Sequence, residues 1–375
     1  MADVRGFPPL RYAGDLEPVV APPYDVLTDE QVAAMKAASP HSVVHLTRPG
    51  SDYQGAAATL RGWLAGGVLV RELRPAMYLH ETRVAPDRSR LDLIATLRVE
   101  PYANGAVVPH ERTHRGPKED RLALLRATAT SLEPLWFLAE GLRDLLAGAP
   151  AASEVREFVH EGRQHVLRTI DDGEWIARVH QELSGRPVLI ADGHHRYETT
   201  LAYSEERGGA VDAGSRFTLA LLSDLRDPGL EVQATHRVLR GGVSVTGGEP
   251  AGSLQEMLSR IEGRMAAGYY RAGRFQVLPL EGTVAAVELH EQVIDNLLQK
   301  RDPEEHLRYT RDAAEAVSLV DAGWGDHAFF LGTPDLGAIL AAARQGVTMP
   351  QKTTYFAPKP PSGMAFHELT GAPVL

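Results

Sequence analysis

Short apolar runs and amphipathic stretches alternate along most of the chain. The apolar runs are rich in β-branched or aromatic residues and are bounded by turn residues, a pattern that predicts strands. The predicted strands are 18–21, 42–46, 76–84, 91–99, 134–138, 188–191, 217–222, 274–278 and 328–331.

Stretches with a period near 3.6 residues predict helices, and Thr28 to Gln31 forms a capping-box pattern that opens a helix reaching about Ala38. The other predicted helices are 53–64, 119–127, 174–183, 195–207, 253–266, 289–298, 313–320 and 335–344. Because strands and helices are interspersed, the pattern predicts an α/β or α+β fold in which a mixed sheet is layered with helices. The Gly-, Ser- and Pro-rich stretch 240–253 predicts a main domain over 1–245 and a C-terminal α/β part over 246–375.

Composition narrows the classes of function. The chain has 375 residues, 43% of them hydrophobic, which suffices for a sizeable core without disulfides. The absence of cysteine excludes disulfides, thiolate nucleophiles, Cys-ligated zinc and iron–sulfur clusters, and it fits a reducing compartment. No apolar h-region opens the chain and no apolar window is long enough for a membrane span, so neither a signal peptide nor a membrane partner is expected. The net charge of -10 argues against nucleic acid as a partner, and we expect a soluble cytoplasmic protein.

The densest group of reactive side chains lies at residues 188–197, where an apolar run ends in Asp-Gly-His-His-Arg. This pattern predicts a strand, a tight turn at Gly193 and a helix whose first amides point toward Asp192. Asp192 could hold Mg²⁺, Arg196 could clamp phosphate, and His194 and His195 could donate to phosphate or carry protons. The alternative is purely structural: Asp192 caps the helix, one histidine is buried, and Arg196 pairs with a surface acid.

Residues 110–114 match the H-E-x-x-H signature of zinc peptidases. Pro109 precedes the motif and Gly116-Pro117 follows it, which leaves room for barely two helical turns, so we disfavour a peptidase. We interpret Glu111 as a general base that faces the Asp192 turn, with a solvated loop as the alternative. The charged residues that follow and could line a nucleotide site are Lys118, Asp120 and Arg121.

Two further segments carry candidate ligands. Pro22 and Pro23 stiffen the chain and could position Tyr24 and Asp25 at a ligand, or they could form only a rigid connector. The basic and aromatic loop 349–360 offers Lys352, followed by hydroxyls, as a phosphate contact, or it could be a packed C-terminal arm. This loop lacks the glycines of a P-loop. For three further histidines a structural role is favoured: His236, His290 and His306.

Five motifs in order along the chain make it similar, over nearly its full length, to the family of domain of unknown function ten-fifteen. The motifs are 21–26, 108–113 with the three charges that follow, 191–198, 235–237 and 349–359. The Asp-Gly-His-His-Arg turn also resembles, over a shorter stretch, that of the free-serine kinases of the ParB/sulfiredoxin-like superfamily. This resemblance implies a ParB/sulfiredoxin-like core within the fold.

The resemblance to the kinases implies roles for individual residues. Glu111 would be the base on the serine hydroxyl, Asp192 would handle metal and substrate, and the residues from Gly193 to Arg196 would cradle phosphates. Sulfiredoxin chemistry is excluded, because the position of its cysteine is occupied by His194. A ParB-type DNA switch is disfavoured, because its Glu-Arg-Arg is replaced by His-His-Arg and the sequence shows no helix-turn-helix pattern.

The leading hypothesis is a nucleotide-dependent small-molecule kinase that converts free L-serine into O-phosphoserine, using ATP or ADP with Mg²⁺ and acting alone or as a homodimer. The alternatives are a phosphohydrolase of a phosphomonoester or nucleotide, and a non-enzymatic nucleotide-sensing module. The predicted site residues are, for catalysis, Glu111, Asp192, His194 and His195; for nucleotide or phosphate, Gly193, Arg196, Lys118, Arg121 and Lys352; for the amino acid, Tyr24, Asp25, His110 and Thr113; and for the metal, Asp192.

Overall fold

A computed structural model describes residues 2–111, 115–208, 210, 213–243, 245–299 and 301–370, without the side chains of 115–117 and 304. By their internal contacts the residues form two compact units. Unit 1 comprises residues 1–109, 113–230 and 358–375, and unit 2 comprises 110–112 and 231–357. Unit 1 is therefore discontinuous, since the chain leaves it after residue 230 and returns at 358. The domain boundary predicted at residues 245–246 stays a prediction.

The strands are numbered along the chain. They are β1 (Val4–Arg5), β2 (Leu10–Tyr12), β3 (Leu69–Arg71), β4 (Met77–Ala85), β5 (Arg88–Arg98), β6 (Val107–Val108), β7 (Thr130–Ser131), β8 (Leu135–Ala139), β9 (Glu154–His160), β10 (Arg163–Ile170), β11 (Val188–Asp192), β12 (Phe217–Asp224), β13 (Glu231–Gln233), β14 (His236–Leu239), β15 (Glu249–Ala251), β16 (Ala266–Arg271), β17 (Arg274–Pro279), β18 (Leu307–Thr310), β19 (His327–Phe330), β20 (Tyr355–Ala357) and β21 (His367–Glu368).

The helices are numbered in the same way. They are α1 (Asp29–Ala38), α2 (Val44–Thr47), α3 (Tyr53–Ala65), α4 (Arg115–Thr128), α5 (Leu142–Ala147), α6 (Gly173–Leu183), α7 (His194–Arg207), α8 (Leu254–Ile261), α9 (Ala285–Leu289), α10 (Asp295–Leu298), α11 (Pro303–His306), α12 (Ala313–Asp321) and α13 (Leu336–Arg344). Short 3₁₀ turns lie at Tyr24–Val26, Tyr102–Asn104 and Gly214–Arg216, and a π-helical turn lies at His290–Ile294. Within the ranges given above, no helix is long and apolar enough to cross a membrane.

Unit 1 is built on a mixed sheet in the order β6-β11-β8-β12-β5-β4-β10-β9, with β1 beside β5. Its parallel pairs are β6 with β11 and β8 with β12. The apolar run of β11 forms an inner strand because it pairs on both sides, and Ile190 packs in one buried cluster with Leu93, Phe137 and the α6 residues Trp175 and Val179. The register of β11 against β8 shifts between Ile190 and Asp192, and such irregularities re-aim side chains where a strand ends.

Unit 2 contains an antiparallel sheet in the order β15-β17-β16-β19-β14-β18, and β13 pairs separately with β20. Consecutive strand residues point to opposite faces. Leu239 and Phe329 accordingly pack in a cluster with α9 and α10, whereas Val238 and Phe330 pack in another cluster with α8 and α12. Both faces of this sheet are therefore apolar and covered.

The mixed α/β fold predicted from the sequence is confirmed, with corrections to individual elements. The predicted strand 42–46 is wrong, since Val44–Thr47 is the short helix α2. Periodicity cannot distinguish so short an apolar run from a helical turn. The predicted strand 18–21 is also wrong, because this stretch makes only an isolated bridge, between Ala21 and Ser362. The predicted helix 253–266 ends at Ile261, before Gly263 turns the chain with a φ of +65° and β16 begins.

Candidate functional site

A tight turn joins β11 to α7. Gly193 precedes the helix with a φ of +99° and a ψ of 28°, in the left-handed region that side chains disfavour. A β-carbon at this position would lie 3.2–3.3 Å from atoms of the Arg196 guanidinium. The pattern of strand, turn and helix predicts glycine here for the backbone conformation. The close approach of Arg196 is a second reason for glycine, which the sequence did not indicate.

Asp192, at the end of β11, is held by two cations. The Nζ of Lys359 donates to its Oδ1 at 2.5 Å, and the Nη2 of Arg196 donates to its Oδ2 at 2.8 Å. Lys359 also donates to Asp25 Oδ2 at 3.1 Å, and its side chain is only 9% exposed. One ammonium therefore joins two carboxylates whose residues lie far apart in the sequence.

Lys359 is the main residue of this cluster that sequence reasoning missed. In the 349–360 loop the sequence points to Lys352 instead, because hydroxyl residues follow it. A usable signal was present, because Lys359 lies between Pro358 and Pro360, which fix the backbone on either side of it. The same kind of stiffening by prolines precedes Tyr24 and Asp25.

Arg196 is buried and locked in place. Besides Asp192, its guanidinium donates through Nη1 to the carbonyl of Pro134 at 2.9 Å. Burial acts to lower the pKa of Arg196, but Glu133 and Asp192 outweigh burial and raise the pKa above its ordinary value. The cation is therefore permanent and has a fixed orientation.

The ring of Tyr24 lies close to two arginines. The centre of its ring is 4.2 Å from the guanidinium carbon of Arg121 and 5.8 Å from that of Arg196. Its amide donates to Glu133 Oε1 at 3.0 Å, an oxygen that also accepts from Ser362 at 2.8 Å. Burial raises the pKa of Tyr24, although both arginines act to lower it, so the ring stays neutral.

Arg121, on α4, is fixed by hydrogen bonds to a neighbouring carboxylate and to a backbone carbonyl. Its Nε donates to Asp120 at 2.7 Å and its Nη1 donates to the carbonyl of Thr47 at 2.8 Å. Arg121, Arg196 and Glu133 line a small cleft of about 50 Å³ together with hydroxyls and leucines. The other residues lining this cleft are Leu124, Leu125, Thr130, Ser131, Leu132, Leu135, Thr199 and Thr200.

The remaining predicted residues of unit 1 lie on α4 and α7. His194 is buried and His195 is half-buried, both in the first turn of α7. Lys118 forms an ion pair with Glu198 and so links α4 to α7. The predicted roles of these three residues in catalysis or phosphate binding stay predictions.

Two further predicted residues, His110 and Glu111, belong to unit 2. His110 Nε2 lies 2.8 Å from Thr354 Oγ1 and 3.7 Å from Glu111 Oε1. The backbone of Glu111 bridges to that of Met349. Thr113, predicted to hold the amino acid, lies outside the described residues, as do Arg112 and His114.

Lys352 lies near a buried arginine of the same unit. Its carbonyl accepts from Arg237 Nη2 at 3.1 Å. Burial lowers the pKa of Arg237 to about 10, while Tyr309 and Glu111 act in the opposite direction. Arg237 therefore interacts both with the charge of Glu111 and with the backbone of Lys352. The sequence did not predict this arrangement. The neighbouring His236 is buried, with its Nδ1 3.4 Å from the Leu331 amide, in keeping with a structural role.

Asp25 and Asp192 are the two carboxylates of this cluster that could serve as ligands of a Mg²⁺ ion. Asp25 and Asp192 already share one positive charge, that of Lys359. Mg²⁺ in nucleotide sites takes one or two protein carboxylates and completes its shell with phosphate oxygens and water. The two carboxylates fit this role, whereas the described residues contain no group of three or more acids or histidines that could hold a metal alone.

Fold and site together define a mixed α/β protein with a cluster of paired acids and cations at a turn from strand to helix. The chain belongs to the family described as protein of unknown function DUF1015, whose model matches residues 4–314. Asp25 and Asp192 fall within that range, and Lys359 lies beyond it. No curated protein matches the sequence.

Among solved structures, the chain is similar to a free serine kinase in complex with ADP, with 13% identity and a TM-score of 0.41, covering 68% of this chain and 84% of the kinase. It is similar to a conserved hypothetical protein from Pyrococcus furiosus, with 17% identity and a TM-score of 0.41, covering 71% and 93% of the two chains. It is also similar to C-terminally truncated SbnI from Staphylococcus aureus, with 13% identity and a TM-score of 0.35. The match covers 71% of this chain and 84% of SbnI.

Proposed function

We propose that this protein is a nucleotide-dependent phosphotransferase that binds the phosphates of ATP or ADP in unit 1, at the start of α7. The observation that carries the proposal is the cluster in which Lys359 joins Asp25 to Asp192 while Arg196 holds the other oxygen of Asp192. The acceptor is the hydroxyl of a free amino acid, with L-serine as the first candidate because of the resemblance of the Asp-Gly-His-His-Arg turn to that of free-serine kinases.

Three features of this cluster suit phosphate. The start of a helix carries partial positive charge and amides that can bind an anion, and Gly193 has no side chain that would keep a phosphate away. Arg196 supplies a fixed guanidinium, the geometry that favours phosphate oxygens. Lys359 supplies a second cation on a flexible stem, which can move from the carboxylates to an incoming phosphate.

Phosphoryl transfer requires positioning and charge stabilisation more than covalent chemistry by the protein. Asp25 and Asp192 would hold Mg²⁺, which supplies neutralisation of phosphate charge when it is bound. Arg196, fixed by the Pro134 carbonyl, orients the phosphates without having to reorganise. The role of Glu111 as the base that takes the hydroxyl proton is proposed from the sequence and is tested separately by Glu111→Gln.

The test is ³¹P NMR of the purified protein with Mg²⁺, L-serine and either ATP or ADP. We expect O-phosphoserine with at least one donor and its loss in Asp192→Asn, which keeps the shape of the side chain and removes its charge. Asp87→Asn, at an exposed position in the same unit, is the matched control and should keep full activity.

Other products would point to other functions. Free phosphate without a phosphorylated acceptor indicates a phosphohydrolase. Nucleotide binding without turnover indicates a sensing module. Absence of O-phosphoserine with both donors overturns the choice of serine, and absence of nucleotide binding overturns the proposal as a whole.

A further inference from the structure

Unit 2 contains a cavity of about 280 Å³ that shares no residue with the cluster in unit 1. It lies among the end of α8, the beginning of α9, the loop that follows β19 and the first turn of α13. Its lining residues all belong to unit 2. Engineered apolar cavities of about 150 Å³ bind benzene, so the volume in unit 2 admits a molecule somewhat larger than benzene.

Most of the cavity wall is aliphatic. The larger apolar side chains that line it are Ile261, Met265, Val284, Leu331 and Ile339. A ligand that fills this space would bury a hydrocarbon body against them, which is favourable by about 25 cal/mol for each Å² of apolar surface removed from water.

Two opposite charges line the same cavity without neutralising each other. The exposed Arg264 makes no ion pair with any residue that the structure describes. The exposed Asp335 uses Oδ1 to accept from the amides of Gly337 at 2.8 Å and Ala338 at 3.3 Å, and within the described ranges its Oδ2 has no such bond. The cavity therefore offers a cation, a carboxylate oxygen and an apolar body together.

A polar group is also left unpaired in the wall. The Thr235 hydroxyl is buried and has no hydrogen-bond partner among the described residues. A buried hydroxyl without a hydrogen-bond partner costs free energy. Such a group therefore calls for an explanation, and a bound ligand that accepts or donates a hydrogen bond is one. Because Thr235 also lines the cavity, a polar ligand bound there could supply the missing partner.

We propose that this cavity is a binding site for a small zwitterion with a hydrocarbon side chain, that is, an aliphatic amino acid such as leucine. The carboxylate of the ligand pairs with Arg264, its ammonium pairs with Asp335, and its side chain packs on the aliphatic wall. The proposal concerns unit 2 alone and does not depend on phosphoryl transfer in unit 1.

The test is isothermal titration calorimetry and saturation-transfer NMR on the full chain, with leucine, isoleucine and valine as probes. We expect saturable binding of at least one of them. Binding should weaken at least tenfold for 4-methylpentanoate, which lacks the ammonium, and for isopentylamine, which lacks the carboxylate. Equal binding of the three kinds of compound, or no saturation by any of the amino acids, overturns the proposal.

Matched variants separate the site from general effects. Arg264→Gln should weaken leucine binding at least tenfold, whereas Arg274→Gln, at an exposed position outside the cavity, should leave it unchanged. Asp335→Asn should weaken binding, whereas Asp312→Asn, at the residue that caps α12 in the same way, should not. Ala338→Leu should fill the cavity and abolish binding in a protein that still unfolds cooperatively. Unchanged affinity in Arg264→Gln and Asp335→Asn overturns the assignment of the two charges.

Discussion

Lys359 shows how much of this site depends on a single side chain. It places a positive charge between Asp25 and Asp192, which would otherwise repel each other. Its side chain is only 9% exposed, so water and salt screen its attraction to the carboxylates less than they screen a surface ion pair. Replacement of this one residue therefore tests the charge balance of the cluster directly.

Lys359→Met should weaken the binding of ADP at least tenfold, because a charge-assisted bond to phosphate contributes about 1.5–3 kcal/mol. The same change should strengthen the binding of Mn²⁺ in the absence of nucleotide, because two carboxylates lose their internal cation. Calorimetric titrations with ADP and with MnCl₂ measure both effects.

The control is Lys36→Met, which removes a lysine of unit 1 that donates to the carbonyl of Arg48. It should change neither titration. If Lys359→Met binds ADP as the unchanged protein does, Lys359 has no part in phosphate binding.

Residue-scale prediction from the sequence succeeded where the chemistry is local. The turn from Asp192 to Arg196 is contiguous, so its strand, glycine and helix are readable from residue types. The contact from Asp25 to Lys359 spans most of the chain, and no periodicity or spacing encodes it. The preceding prolines mark Tyr24 and Asp25 as candidates, but no local signal predicts the residues that they contact.

At the scale of elements, the turn before α7 depends on Gly193. Gly193→Ala should lower the free energy of unfolding by about 1–2 kcal/mol, the cost of a left-handed conformation for a residue with a β-carbon. It should also weaken ADP binding, because the new methyl group displaces Arg196. Urea unfolding and ADP titration measure the two effects.

Gly67→Ala is a matched control for the free-energy cost of placing a β-carbon on a left-handed backbone. Gly67 has a φ of +73°, but a β-carbon there would meet no atom within 4 Å. The Gly67→Ala variant should lose a similar amount of stability but keep the affinity of the unchanged protein for ADP. Equal loss of affinity in both variants would show that Gly193 acts only through general stability.

A buried ion pair connects the sheet of unit 1 to the segment that carries Lys359. Arg90 Nε donates to the two oxygens of Asp92 at 2.9 and 3.0 Å, and its Nη1 donates to the carbonyl of Pro358 at 2.6 Å. The Ser223 hydroxyl donates to Asp92 at 2.5 Å. Arg90, Asp92 and Ser223 are fully buried.

Asp92→Asn should therefore destabilise unit 1 by about 3–5 kcal/mol, because it leaves the Arg90 charge uncompensated in the interior. The double change Arg90→Met with Asp92→Leu should cost less than the single change, since it removes both charges. Urea unfolding measures the stability of the single and double variants. A double variant less stable than Asp92→Asn would contradict the claim that the uncompensated charge of Arg90 causes the loss.

Element-scale prediction succeeded for long, periodic or strongly apolar segments, such as α3, α6, β5 and β12. It failed at the runs 18–21 and 42–46, where a few apolar residues fit a strand, a turn or a helical turn equally well. It also missed the hairpin of β9 and β10, because charged residues such as Glu157 and Arg168 interrupt the apolar pattern.

On the scale of the whole molecule, buried histidines make stability depend on pH. Burial lowers the pKa of His165 to about 3, with the nearby His80 adding to the effect. Burial also lowers the pKa of His236 and of His367 to about 4. Unfolded histidine titrates near pH 6.5, so below that value the unfolded chain binds protons that the folded chain does not.

The free energy of unfolding should therefore fall as the pH decreases from about 6.5 toward 4, by up to about 1.4 kcal/mol per pH unit for each of these histidines. This stability is fully present above pH 6.5 and is lost at lower pH. Urea unfolding at several pH values measures the slope, and His367→Asn should make it shallower. A free energy of unfolding that stays constant from pH 7 to 4.5 would refute the prediction.

The discontinuity of unit 1 lies beyond prediction from this sequence. Composition changes near residue 240, and that change led to a predicted boundary at 245–246. No local signal shows that the chain returns to unit 1 at residue 358, because the return depends on pairings such as β21 with β7 and Lys359 with Asp192.

This return of the chain sets an order of events during biosynthesis. Residues 1–230 leave the ribosome before Lys359 has been translated, so the nascent protein holds Asp25 and Asp192 without the charge that joins them. The whole of residues 231–357 must be made first. A polypeptide cut short within that stretch would contain every strand of the mixed sheet but an unfinished phosphate site, and it should therefore lack the proposed activity.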